Sequence, residues 1–277
     1  MKRKLFLVLI TACFLFTLSS SAQAFSNINT FWDLNAVNGT YFTADGGDGI
    51  TESATQFLYY AETHSIITPT GVVTDSGLAY TTGINPASGN IPPDSEDLGS
   101  RWGLTMVWND LTGQVTSVGG DGTINAAYTS GTINFYVDFN PYALSFANPS
   151  TFTNGTLVAT FDVTSGGYTL TPEGVAGSSY VLFAQASNIL DNFWFTEDGI
   201  DLNDTFVSLG WVLGYTAGDN DPEDIERYFD GAGNLHVLSN HDASFSVGLV
   251  PEPNTLLMLG IGLIGLAGLG RRKMSGK

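Results

Sequence analysis

Basic residues, cysteine and histidine are all scarce in this chain of 277 residues: nine Lys plus Arg, one cysteine and three histidines. The lone cysteine, Cys13, lies in the opening apolar run, so a protein that has shed that run has no thiol. Disulfides, zinc thiolates and cysteine nucleophiles are excluded, and burial alone must hold the fold. Charged side chains make up 13% of the chain, about half the ordinary ~25%. Lysine is the missing type: between residues 25 and 249 only Arg101 and Arg227 stand against 26 acidic residues. Phosphate backbones and anionic lipid are neutralised by Lys and Arg, so this body is expected to bind no nucleic acid. Apolar residues reach 43%, which excludes gross disorder and allows one sizeable core.

The remaining basic residues mark the two ends. Lys2, Arg3 and Lys4 precede an apolar run from Leu5 to Leu18 and a small-residue Ala22-Gln23-Ala24 site, the three parts of a secretory signal peptide cleaved after Ala24. The run is shorter than the ~20 residues a bilayer-spanning helix needs. Ile10-Thr11-Ala12-Cys13 also resembles a bacterial lipoprotein processing box, but cutting there would leave Phe14–Leu18 on the mature chain.

At the other end, Pro251-Glu252-Pro253 leads into an uncharged stretch from Leu256 to Gly270 and then into Arg271, Arg272 and Lys273. This order of parts resembles the PEP-CTERM sorting segment of Gram-negative bacteria. The resemblance implies recognition by the membrane enzyme exosortase, processing near the PEP motif, and delivery to the cell surface or extracellular matrix. It also implies export by the general secretion machinery and a transient stay in the inner membrane. Basic residues beyond an apolar span stay cytoplasmic, which would hold the body outside. Fifteen residues at ~1.5 Å each fall short of a ~30 Å apolar core, and Asn254, Thr255 and a snorkelling Arg271 would extend the span. Gly260, Gly262 and Gly265 spell a dinucleotide fingerprint, but inside an apolar span rather than after a strand, where they serve close helix packing.

The body, residues 25–249, is expected to be a single antiparallel all-β domain, a β-sandwich or jelly roll. Ile133–Phe139 carries apolar residues at its odd positions, and Leu157, Ala159, Phe161 and Val163 alternate with their neighbours, as do Val207, Leu209, Trp211, Leu213 and Tyr215. Gly103–Trp108, Ser179–Gln185, Leu235–Leu238 and Phe245–Leu249 read as further strands. Turn punctuation falls at Gly46-Gly47, Gly119-Gly120, Asn154-Gly155 and Gly166-Gly167. Ser88–Asp97 reads as a long loop, and Pro222–Phe229, with Asp221 before it, as the one internal helix. The stretch Asn154–Val163, with Asn192–Phe195 and Asp198–Leu202, is similar to the body of flocculation-associated PEP-CTERM proteins. That similarity implies a role in exopolysaccharide-associated aggregation and carries no catalytic residue.

No catalytic constellation stands out, so a non-enzymatic surface or matrix protein with no cofactor is expected, calcium being the one candidate ion against a reading of the acids as solvated turn residues. Calcium wants several oxygen ligands on a turn. Three acidic groupings qualify: Asp45-Gly46-Gly47-Asp48, the set Glu197, Asp198, Asp201, Asn203 and Asp204, and Asp219-Asn220-Asp221 through Glu226, with the second ahead. Trp194, between Phe193 and Phe195, is the best candidate for stacking on a sugar ring, set against the reading of it as a core residue. These two features define the alternative function, a calcium-dependent carbohydrate-binding module or a carbohydrate-active enzyme. His64, His236 and His241 read as polar surface residues: His236 and His241 are five apart, and ligands sharing one strand face differ by an even number.

Overall fold

The computed structural model describes residues 26–38, 49–86, 97–173, 175, 178–205, 207–214 and 225–249, with only the backbone of 207–214. Asn27–Leu249 form one compact unit; of the second unit, residues 1–26 and 250–277, only Ser26 is described. The expected signal peptide with Ala22 and Ala24, the sorting segment with its expected span, residues 87–96 of the expected long loop, and the acidic groups at 45–48 and 219–221 lie outside the described residues.

Among the described residues, thirteen strands and almost no helix make up the body. They are β1 (Ser26–Asn27), β2 (Thr30–Trp32), β3 (Ala54–Ile67), β4 (Val72–Pro86), β5 (Gly103–Val118), β6 (Ile124–Ser130), β7 (Thr132–Asp138), β8 (Thr156–Leu170), β9 (Ser179–Ile189), β10 (Trp194–Thr196), β11 (Val207–Gly214), β12 (Ile225–Phe229) and β13 (Leu235–Leu249). The pairing is antiparallel, and each long strand lies beside the next in sequence. β13 then pairs with β3 over eleven residues, Leu235 opposite Ile67 through Phe245 opposite Phe57. That seam closes the sheet into an up-and-down barrel of eight staves. β6 and β7 together form one stave, because both run along β5 and β8, and β11 and β12 form another along β13.

The sandwich or jelly roll expected from the strand count is therefore corrected to a closed barrel. The decisive element is β13: Leu235–Leu238 and Phe245–Leu249 are the two ends of one 15-residue strand, long enough to pair with β12, β11 and β3 at once. Closure removes the sheet edges that a sandwich leaves open. The expected helix is corrected as well. Ile225–Phe229 pairs with β13 as a strand, five residues being too few to repay helix nucleation when a partner strand is at hand. β3 and β4, absent from the sequence reading, supply two of the staves.

Gly119-Gly120 turns the chain from β5 to β6, as expected, with Gly119 N–H donating to Thr123 O at 2.7 Å. Gly166-Gly167 does not turn; it lies inside β8, where the β9 backbone approaches too closely for a side chain at 166. β7 buries Ile133, Phe135 and Val137 as its alternation requires. β8 keeps Ala159, Phe161 and Val163 inside but exposes Leu157 and buries Val158. A register shift between Ala159 and Leu157 opposite Phe135 and Tyr136 inserts one residue, and one inserted residue exchanges the two faces.

Side chains fill the interior, as eight staves permit. One end is aromatic. There Trp32 of β2 and Trp194 of β10, on strands that pair across this end, pack with Trp102, Phe57, Phe135, Phe161, Phe193 and Phe245, all at most 1% exposed. The outer face of β3 reads Gln56, Leu58, Tyr60, Glu62, His64, Ile66 and that of β4 Thr74, Ser76, Leu78, Tyr80, Thr82. Apolar inside and mostly polar outside is the reverse of the pattern of a membrane-spanning barrel. Among the described residues no helix is long and apolar enough to cross a membrane.

Candidate functional site

The opposite end of the barrel is polar and organised around one carboxylate. Asp75 follows Val73 on the inward parity of β4 and is 3% exposed. Four neutral donors from four other staves surround it. Trp108 Nε1 of β5 donates to Oδ1 at 2.6 Å, while Tyr128 OH of β6 and Tyr180 OH of β9 donate to Oδ2 at 3.2 and 3.4 Å. Ser65 Oγ of β3 also donates to Oδ2 and meets Tyr180 OH at 3.0 Å. Tyr168 of β8 stacks on Tyr180 at 5.2 Å, so six consecutive staves meet here. The Trp108 ring reaches Asp75 by lying over Gly77, where any side chain would occupy the same space.

Among the described residues no basic side chain offsets this burial. Desolvation pushes Asp75 up to about 6 against the pull of its four hydrogen bonds, and burial together with the Asp75 charge raises Tyr128, Tyr168 and Tyr180 well above ordinary tyrosine. Beside Tyr180, β13 contributes His241, buried at 7% exposure, with Nε2 2.7 Å from Ser239 Oγ and 3.3 Å from Thr63 Oγ1. Burial brings His241 down to about 4, which keeps the imidazole neutral. The cluster joins staves and can take up a proton at mildly acidic pH.

Sequence reasoning missed this cluster. Its signal was available in Val73, Asp75, Gly77 and Ala79, which share one strand parity, so a carboxylate stands on a face otherwise fit for a core. The expectation of three surface histidines is corrected for His241. His236 and His241 lie on opposite faces of β13, as their odd spacing requires; His236 faces out, beside His64 of β3.

The structure does not bring the candidate calcium residues together around one point. Asp201 is consumed by its own turn: Oδ1 accepts from Asn203 N–H at 2.8 Å and Oδ2 from Asn192 N–H at 2.7 Å. Glu197 Oε2 turns away to Asn29 Nδ2 at 2.6 Å, and Asp198 is exposed. Asn203 and Asp204 instead line a shallow cleft of about 180 Å³ against Ser187–Ile189 of β9. Among the described residues no three His, Cys, Asp or Glu side chains gather as a metal-holding group. Of the two readings of Trp194 the structure takes the core one: at 1% exposure the ring lies edge-on to Trp32 at 5.7 Å and to Phe161 at 6.1 Å, and it presents no face to a sugar.

Comparison with known proteins found one match, the PEP-CTERM protein-sorting motif, at residues 249–273. The chain carries a PEP-CTERM sorting segment. The match covers Pro251, Glu252, Pro253, Arg271, Arg272 and Lys273 and marks an exported protein handled by exosortase. No curated protein and no solved structure matches the chain significantly, so the barrel is interpreted from its own geometry.

Proposed function

We propose that this PEP-CTERM protein is a non-enzymatic component of the cell surface or extracellular matrix, acting in exopolysaccharide-associated aggregation or flocculation. The sorting motif at 249–273 carries the reading, because it directs the body to the outside of the cell. Further support comes from a barrel whose interior is filled by its own side chains and from a body, residues 25–249, with 26 acids against two arginines, suited to a hydrated polyanionic matrix. The partners in this reading are the general secretion machinery, exosortase, the inner membrane in transit, and exopolysaccharide.

The test is intact mass and fractionation of the protein from its native host, with Glu252→Ala alongside. The expected mature form starts at Phe25 and ends near the PEP motif, while Glu252→Ala accumulates in the membrane with its tail. A wild-type protein that keeps its tail in the inner membrane would overturn the reading. For the matrix role, deletion of the chain is expected to reduce floc size, and Glu252→Ala to reproduce that loss.

A further inference from the structure

Two histidines meet on the outer face of the barrel, across the seam that closes it. His64 of β3 and His236 of β13 are diagonal neighbours, since His236 pairs with Ile66 and Leu238 with His64. His64 Nε2 lies 2.9 Å from His236 Nδ1, and the rings are 5.2 Å apart at 28°. On its far side His236 Nε2 reaches Asp230 Oδ2 at 3.2 Å. Asp230 is locked in the turn between β12 and β13: its Oδ1 accepts Ala232 N–H at 2.8 Å and Asn234 N–H at 2.9 Å, and its Oδ2 accepts Asn234 Nδ2 at 2.8 Å. Tyr228 of β12 stacks on the His236 ring at 4.7 Å and 7°. The His236 side chain is 13% exposed.

We propose that His64 and His236, oriented by Asp230, form a binding site for a tetragonal transition-metal ion, copper(II) above all. The carboxylate holds the proton of His236 on Nε2, which turns the Nδ1 lone pair toward His64. A carboxylate–histidine–metal arrangement uses the same tautomer control. The ion takes the place of the proton shared by the two facing nitrogens, and that proton moves by way of solvent to Nδ1 of His64, so the ring ligates as the neutral tautomer. Spacing selects the geometry: with metal–nitrogen bonds of about 2.0 Å, cis nitrogens on a tetragonal ion lie about 2.8 Å apart, and nitrogens on tetrahedral zinc about 3.3 Å. The observed 2.9 Å matches the former. Water completes the coordination around the two imidazoles, the protein ligands among the described residues. Ligation requires each ring to offer an unprotonated nitrogen. The acidic surface raises the local concentration of cations.

Copper(II) chloride titrated into the purified full chain, with glycine as competitor, tests the site. One ion is expected to bind with nitrogen hyperfine structure in its electron paramagnetic resonance spectrum. His64→Gln or His236→Gln is expected to weaken that binding at least tenfold, and Asp230→Asn about tenfold. In the unmutated chain, sub-stoichiometric copper should broaden the ring signals of His64 and His236 before that of His241 on the opposite face, a reading that needs no variant to fold. Equal affinity in the double variant His64→Gln/His236→Gln, or broadening of all three histidines together, would overturn the proposal and leave binding by surface carboxylates alone.

Discussion

At the residue scale, Asp75 and His241 oppose each other in their response to pH. Between 3.8 and about 6, native Asp75 holds a proton that the unfolded chain has released, so its contribution to stability falls as pH rises. Between about 4 and 6.5, unfolded His241 takes up a proton that the native state refuses, so its contribution falls as pH drops. Each spans about 3 kcal/mol, and in the unaltered protein they nearly cancel. Asp75→Asn is therefore expected to become acid-labile, its urea midpoint dropping from pH 6.5 to pH 4, and His241→Gln to lose stability from pH 4 to pH 6. Urea unfolding at four pH values checks both; a variant with the unaltered protein's pH profile would refute the assignment. Trp194 makes a separate prediction: Trp194→Ala is expected to cost about 3–5 kcal/mol, as core tryptophans do, and to leave retention on polysaccharide columns unchanged.

At the element scale, the strands of the second half were legible because their faces differ in polarity. Ile133, Phe135 and Val137 could face only a core, and the structure buries all three. Legibility failed where a partner strand overrode local pattern. Leu157 and Val158 exchanged faces because of a bulge that depends on β7 opposite, and Ile225–Phe229 became a strand because β13 was beside it. β3 and β4 escaped notice because their inward faces carry Thr63, Ser65 and Asp75 among the apolar residues. Their polarity is satisfied by hydrogen bonds from strands far away in sequence. Gly131, with φ +140°, joins β6 to β7 within one stave against the Leu111 backbone. Gly131→Ala is expected to destabilise by at least 1–3 kcal/mol, through strain and overpacking, measured as a lower thermal midpoint.

At the scale of the whole molecule, closure and charge act together. The β3–β13 seam leaves neither strand as an edge, so amides along it are expected to exchange with deuterium only on global unfolding, whereas β12, paired on one side alone, exchanges sooner. Equal rates on β12 and on the seam would contradict closure. The excess of acids repels itself across so small a body, and raising NaCl from about 20 to about 500 mM is expected to raise the thermal midpoint.

The sequence by itself determined that the chain carries a sorting segment. Such segments are linear patterns, so their residues need no fold to be recognised. It determined the β character of the body as well, because strand alternation is local. Only the tertiary structure decided that the sheet closes, that Trp194 is core, that Asp201 serves a turn, and that Asp75 and the His64–His236 pair each draw residues from several strands. Those outcomes rest on registers between segments as much as 188 residues apart, the separation of Gln56 and Ser244, whose side chains meet at 2.6 Å across the seam. Such registers are set by which faces pack and which polar groups find partners.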